Sequence, residues 1–133
     1  MRRIALGFAI LVAVVLVWGA TEQLAAESGE VVVVRTFDAK GAAHETRLWI
    51  VDEGDAVWLR AGDPGSSWLL RLKANPEIEV ERGGTTLAYR ATPVPEALAR
   101  VNAAMDDKYG FANRYIGMFF PRGRATPVRL DPR

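Results

Sequence analysis

Residues Trp58–Val80 read WLRAGDPGSSWLLRLKANPEIEV, and their order decides the architecture. Ala56–Ala61 (AVWLRA) is a short β-branched and aromatic strand with Arg60 near its end. Gly62-Asp63-Pro64-Gly65 is a loop. Ser66 or Ser67 caps a short helix, WLLRLKA, and Asn75-Pro76 stops it. Glu77–Arg82 (EIEVER) then alternates with the period of a strand. A helix this short, set between two strands, belongs with a sheet that curls around one core.

Upstream, Val31–Phe37 is a β-branched strand, Asp38–Gly41 (DAKG) a turn, and Glu45–Asp52 (ETRLWIVD) a second strand. On that second strand Trp49 and Val51 share one face, Leu48 and Ile50 the other. Glu53-Gly54-Asp55 leads into Ala56–Ala61, so the first three strands form an antiparallel meander. Downstream, Gly83-Gly84 is a hairpin turn and Thr85–Thr92 the return strand. Pro95 opens a second helix over Glu96–Tyr109, with Leu98, Val101, Met105 and Tyr109 along one stripe. Asn113–Phe120 adds a further helical turn or two, and Ala125–Leu130 a last strand. Short antiparallel strands around one core favour a closed or half-closed barrel, which also removes exposed edges.

The start of the chain has different physics. Ile4–Ala20 (IALGFAILVAVVLVWGA) is uncharged, follows Arg2 and Arg3, and carries Trp18 near its far end. As a helix it covers roughly 25 Å, close to the hydrocarbon thickness of a bilayer. Two readings are open: a retained single-pass anchor, or a secretory signal peptide cleaved after Ala26. The run is longer than a usual signal core and Leu24-Ala25-Ala26 is only a fair cleavage site, which favours the anchor. Arg2 and Arg3 before the span, against Glu22, Glu27 and Glu30 after it, place the N-terminus in the cytoplasm and the domain outside. With cleavage, the domain is secreted. Residues 1–26 are thus anchor and linker, and 27–133 one domain.

Composition excludes several functions. With Arg2 and Arg3 set aside, the 17 basic side chains fall to 15 against 16 acidic ones, far from the basic footprint of a nucleic-acid binder. The chain has no cysteine, so disulfides, thiol catalysis and cysteine-bound zinc are out. One histidine, His44, cannot build a multi-histidine metal site. No nucleophile-elbow pattern surrounds Ser66 or Ser67. Asp106 and Asp107 are adjacent on a helix and point in different directions.

Arg60–Asn75 remains. A strand ending in arginine, a glycine-bearing loop and a serine-headed helix can converge on a phosphate through guanidinium, hydroxyl and free backbone N–H groups. An ordinary capped helix with Trp68 in the core explains the same residues without a ligand. His44, Arg47, Arg71 and Lys73 are further candidates for anion contacts or plain solvated charges.

Two segments resemble the split β-barrel superfamily of pyridoxamine-phosphate oxidases and deazaflavin-dependent nitroreductase-like proteins. They are Arg35–Val51, RTFDAKGAAHETRLWIV, and Trp58–Val80, whose WLLRLKANPEIEV is close to a W-x-x-N-L-K-A-N-P-x-V pattern. The C-terminal KYGFANRYIGMFFPRGRATPVRLDPR is similar to a smaller set of split-barrel proteins with the same helix-then-strand finish. The basic turn of such relatives is reduced here to Lys40-Gly41, with Ala42-Ala43 following.

The resemblance implies an α+β fold: a mainly antiparallel split β-barrel of about six strands with two or three short helices, beside the N-terminal transmembrane helix. By position it implies a cofactor site of His44, Thr46, Arg47, Arg60, Gly62, Ser66, Ser67, Trp68 and Lys73. The cofactor would be FMN or a deazaflavin coenzyme. It also implies a homodimer, for which Trp49, Trp58 and Met118-Phe119-Phe120 would supply an apolar interface. The expected function is a membrane-anchored oxidoreductase of nitroreductase or quinone-reductase type, passing hydride to a small or lipid-soluble acceptor. The alternative is a non-catalytic split-barrel ligand-binding or interaction domain that has lost cofactor binding. Mass spectrometry of the mature protein is expected to find Met1–Ala20 still attached; a terminus at or near Glu27 would refute the anchor.

Overall fold

The computed structural model describes residues 29–110 and 122–133. The apolar run Ile4–Ala20 and the helical turns expected over Asn113–Phe120 lie outside those residues. Among the described residues, no helix is long and apolar enough to cross a membrane.

Six antiparallel strands close into a barrel: β1 (Val31–Phe37), β2 (Ala43–Glu53), β3 (Ala56–Ala61), β4 (Glu77–Arg82), β5 (Thr85–Pro93) and β6 (Thr126–Pro132). Their order around the barrel is β1-β2-β3-β6-β5-β4. Helix α1 (Ser67–Ala74) connects β3 to β4, and helix α2 (Leu98–Tyr109) follows a 3-10 turn at Pro95–Ala97. Pro95 thus opens a 3-10 turn, and the α-helix begins at Leu98. Gly83 and Gly84 hold positive φ angles of 56° and 81°, the backbone state that makes the two-residue β4–β5 turn and that side-chain-bearing residues resist.

Two cores result because β2 and β3 are apolar on both faces. Inside the barrel, Val32, Val34, Ile50, Leu59, Ile78, Val80, Val128 and Leu130 pack with Trp68, Leu69 and Leu72 of α1. That helix plugs the barrel with its apolar stripe; emptying such a fully buried leucine site costs about 2–5 kcal/mol. Outside, Val51 and Trp58 meet Val101, Met105 and Tyr109 of α2. Trp58 is 2% exposed, and Trp49 stacks on Tyr109 with ring centroids 4.3 Å apart and planes 9° from parallel. Trp58 is thus buried by its own chain, and Trp49, half-buried, spends one ring face on Tyr109. Met118–Phe120 lies outside the described residues.

The C-terminus of α2 ties the barrel to the residues that precede β1. The Tyr109 hydroxyl accepts from the Ile50 amide at 3.0 Å and lies 2.6 Å from the Glu30 carbonyl, to which it can donate. A Cβ on Gly29 would fall 1.8 Å from the Tyr109 ring, so glycine there is a matter of space. The Glu30 carboxylate accepts from Arg82 and Lys108, and Arg82 also grips Asp52 at 2.7 Å. The Arg82 guanidinium, with Lys108 adding to it, holds the Glu30 carboxyl below its usual range; for Asp52, Arg82 does the same.

These depressed values set a pH dependence. The stabilisation is complete above the ordinary carboxylate range and is lost as pH falls through the lower folded-state values. Thermal unfolding should therefore show Tm dropping on the acid side, and Glu30→Gln should shrink the Tm difference between neutral and acid pH. A Glu30→Gln profile parallel to the wild type would remove Glu30 from the acid limb.

Candidate functional site

Strand register decides which candidate residues can meet. In the β2–β3 pair, Ile50 lies opposite Leu59 and Val51 opposite Trp58. Opposite residues share a face, so Arg60 of β3 lies on the outer face with the odd-numbered Arg47 and Trp49 of β2. Thr46 and His44 fall on the other face, opposite Val34 and Thr36 of β1. The sequence-based expectation that Thr46 faces a common pocket with Arg60 is thus corrected: Arg47 takes that place.

On the outer face, a cleft of about 280 Å³ is lined by Val31, Arg47, Leu48, Trp49, Arg60, Gly62 and Met105. Three of the nine candidates, Arg47, Arg60 and Gly62, converge there. The Arg60 guanidinium donates to Asn102 Oδ1 of α2 at 2.9 Å. Space around Gly62 is open, and a Cβ there would meet nothing within 4 Å. The cleft thus carries two guanidinium groups beside an apolar floor of Val31, Trp49 and Met105.

The remaining candidates are placed elsewhere. Trp68 is buried in the barrel core and cannot stack on a ligand. Ser66 precedes the helix without capping it through its side chain. Its hydroxyl turns back to donate to the Asp63 carbonyl at 2.7 Å, closing the loop on itself. Ser67 and Lys73 are exposed on α1. His44 is exposed at the β1–β2 turn and pairs with Asp38 at 2.8 Å. That contact, with the backbone N–H groups of Ala42 and Lys40, holds the Asp38 carboxyl below its usual range. Asn102 and Met105 were missed from sequence. Met105 was read as helix stripe, and Asn102 carries no signal until α2 is docked on the register above.

Comparison with known proteins agrees with this fold. Residues 15–115 match the family described as F420H(2)-dependent quinone reductase. The chain belongs to that family. No curated protein matches it. Among solved structures it is similar to the conserved hypothetical protein Rv2991 from Mycobacterium tuberculosis, with 21% identity, a TM-score of 0.62 and coverage of 84% of this chain and 79% of that one. Protein Atu2129 from Agrobacterium tumefaciens, of unknown function, gives 19% identity and a TM-score of 0.64 over 78% of this chain. This chain spans about half of that protein, covering 48% of it. An F420-H2 dependent reductase, FDR-A, gives 23% identity and a TM-score of 0.56, covering 74% of this chain and 92% of that one. These likenesses establish the barrel fold, and the family uses the reduced deazaflavin F420H2.

The bond from Arg60 to Asn102 is open to direct test. In Asn102→Ala, 15N relaxation should show the Arg60 Nε–H gaining mobility, while unfolding free energy falls by no more than about 0.5–1.5 kcal/mol. A guanidinium as rigid as in the wild type would show that Asn102 does not hold it.

Proposed function

We propose that this member of the F420H(2)-dependent quinone reductase family binds the reduced deazaflavin in the cleft between α2 and strands β2 and β3, and delivers hydride to a quinone-type acceptor. The observation that carries the reading is the pairing of Arg47 and Arg60 beside the apolar floor of Val31, Trp49 and Met105. The donor set fits the group. Guanidinium groups bind phosphate through charge-assisted hydrogen bonds, and a flat apolar wall suits a fused aromatic ring. The open backbone at Gly62 allows close approach beside them. When bound, the deazaflavin would supply the hydride; the chain's own residues bind and orient it and keep water from one ring face.

In this reading Arg60, steadied by Asn102, and Arg47 take the phosphate, and the Val31 and Trp49 surface, backed by buried Met105, takes the ring. A lipid-soluble acceptor suits a domain held at a bilayer by the apolar run Ile4–Ala20, the location the hydropathy pattern favours. A homodimer accords with the expectation drawn from split-barrel relatives. FMN is the weaker choice of cofactor, because the family match is to deazaflavin users.

The test is a fluorescence titration of the full chain with coenzyme F420, followed by anaerobic turnover with a soluble quinone. Arg60→Ala should weaken coenzyme binding by about 1.5–3 kcal/mol, the range for a lost hydrogen bond to a charged group. Oxidation of the reduced coenzyme should depend on the quinone. Absence of coenzyme binding by the wild type would instead favour the non-catalytic binding domain, and unchanged affinity in Arg60→Ala would move the site off this cleft.

A further inference from the structure

A second cleft, of about 550 Å³, opens at the mouth of the barrel where the β1–β2 turn faces α1. Phe37, Ala39, Leu70 and Ala74 make its apolar walls, and Arg71, Asp38 and Asn75 bring the polar groups. Leu70 is 53% exposed, one of two large hydrophobic residues so exposed among the described residues. Arg71 is fixed in an unusual way. Its Nε donates at 2.8 Å to the hydroxyl of Thr36, which is fully buried. The anchor is neutral and inside the barrel, so it orients the guanidinium without cancelling its charge.

The other described arginines with ion pairs meet carboxylates: Arg35 with Glu45 and Glu81, Arg82 with Glu30 and Asp52, Arg129 with Asp131, Arg133 with Glu77. Arg71 has no carboxylate partner among the described residues. The carboxylate that shares its cleft, Asp38, is committed elsewhere. One oxygen accepts from the Lys40 and Ala42 amides at 2.9 and 3.0 Å, and the other meets His44. The two terminal nitrogens of Arg71 therefore make no hydrogen bond to the described residues, while Nε is spent on Thr36. A fixed two-pronged donor beside an apolar wall selects an anion attached to an apolar body.

We propose that this second cleft binds a small amphiphilic organic anion, a carboxylate or phosphate ester, with its charged end on the terminal nitrogens of Arg71 and its apolar body against Phe37 and Leu70. Thr36 is the positioning residue. The site is built from β1 and α1 and shares no residue with the cleft of Arg47 and Arg60, so it stands whether or not that cleft holds a deazaflavin.

Benzoate, phenyl phosphate and the neutral benzyl alcohol serve as probes for the full 15N-labelled chain, read at the backbone amide resonance of Leu70, a cleft residue that every variant below retains. At least one anion should shift that resonance saturably, with an affinity tenfold or more above that of benzyl alcohol. The ratio of benzoate to phenyl phosphate affinity then identifies the preferred anion. Arg71→Gln should abolish the preference for anions, Arg71→Lys should keep part of it, and Thr36→Val, which conserves shape, should weaken binding several-fold. Arg60→Ala should leave it unchanged. No saturable shift with either anion, equal anion binding by Arg71→Gln, or loss of binding in Arg60→Ala would overturn the proposal. Unchanged affinity in Thr36→Val would overturn the positioning role.

Discussion

The pairing of β2 with β3, with Ile50 opposite Leu59, is the constraint on which the rest of the molecule depends. Side chains alternate along a strand, so a slip of one residue would exchange the two faces of one strand relative to the other. In the observed register Ile50 and Leu59 enter the barrel together, while Val51 and Trp58 stand outside together. Both faces of both strands are then apolar where they are covered. A one-residue slip would put Trp58 and Leu59 against the wrong layers, and burial of those side chains stabilises by roughly 1.5–3 kcal/mol each.

The outer core follows from that choice, and the candidate site follows from the outer core. Helix α2 lies on β2 and β3 because Val101, Met105 and Tyr109 find Val51 and Trp58 there. Once seated, the same helix carries Asn102 to Arg60 and lays Met105 along the cleft. Tyr109, at its end, reaches the backbone of Ile50 in β2 and of Glu30 before β1, and stacks on Trp49, a residue of the cleft. The residues that shape the cleft are therefore held by the packing that stabilises the fold, which keeps two guanidinium groups near each other without a dedicated scaffold.

Much of this was legible because it is local. Alternation marks Val31–Phe37 and Glu77–Arg82 within one strand each, Gly83-Gly84 names its own turn, and the Asn75-Pro76 stop ends α1 where expected. What was not legible depends on partners distant in sequence. Thr46 and Arg60 each alternate correctly, but whether they share a face rests on the sum of two positions across a pair, which neither strand contains. Ser66 has the right residue type to cap a helix, and its hydroxyl was drawn instead to the Asp63 carbonyl three residues back. Trp68 had two consistent readings, ligand platform or core. The barrel decides for the core because α1 needs its largest apolar side chain to close the end.

The arginines show why residue type alone does not identify a site. Arg35 and Arg82 each bridge two carboxylates, and that pairing raises both guanidinium pKa values above the ordinary arginine level. Such groups tie elements together: Arg35 joins β1 to β2 and β4, and Arg82 joins β4 to β2 and to the residue before β1. Arg71 differs in being oriented by a neutral hydroxyl, that of Thr36 on another element, and Arg60 donates to the neutral amide oxygen of Asn102. A neutral acceptor fixes direction and leaves the cation's field in place, whereas a carboxylate fixes direction and cancels it. On this chain both arginines line clefts, and the clefts lie on opposite layers: one under α2 outside the barrel, one at the barrel mouth beside α1. The chemistry of an arginine's anchor thus depends on partners distant in sequence, which only the folded arrangement supplies.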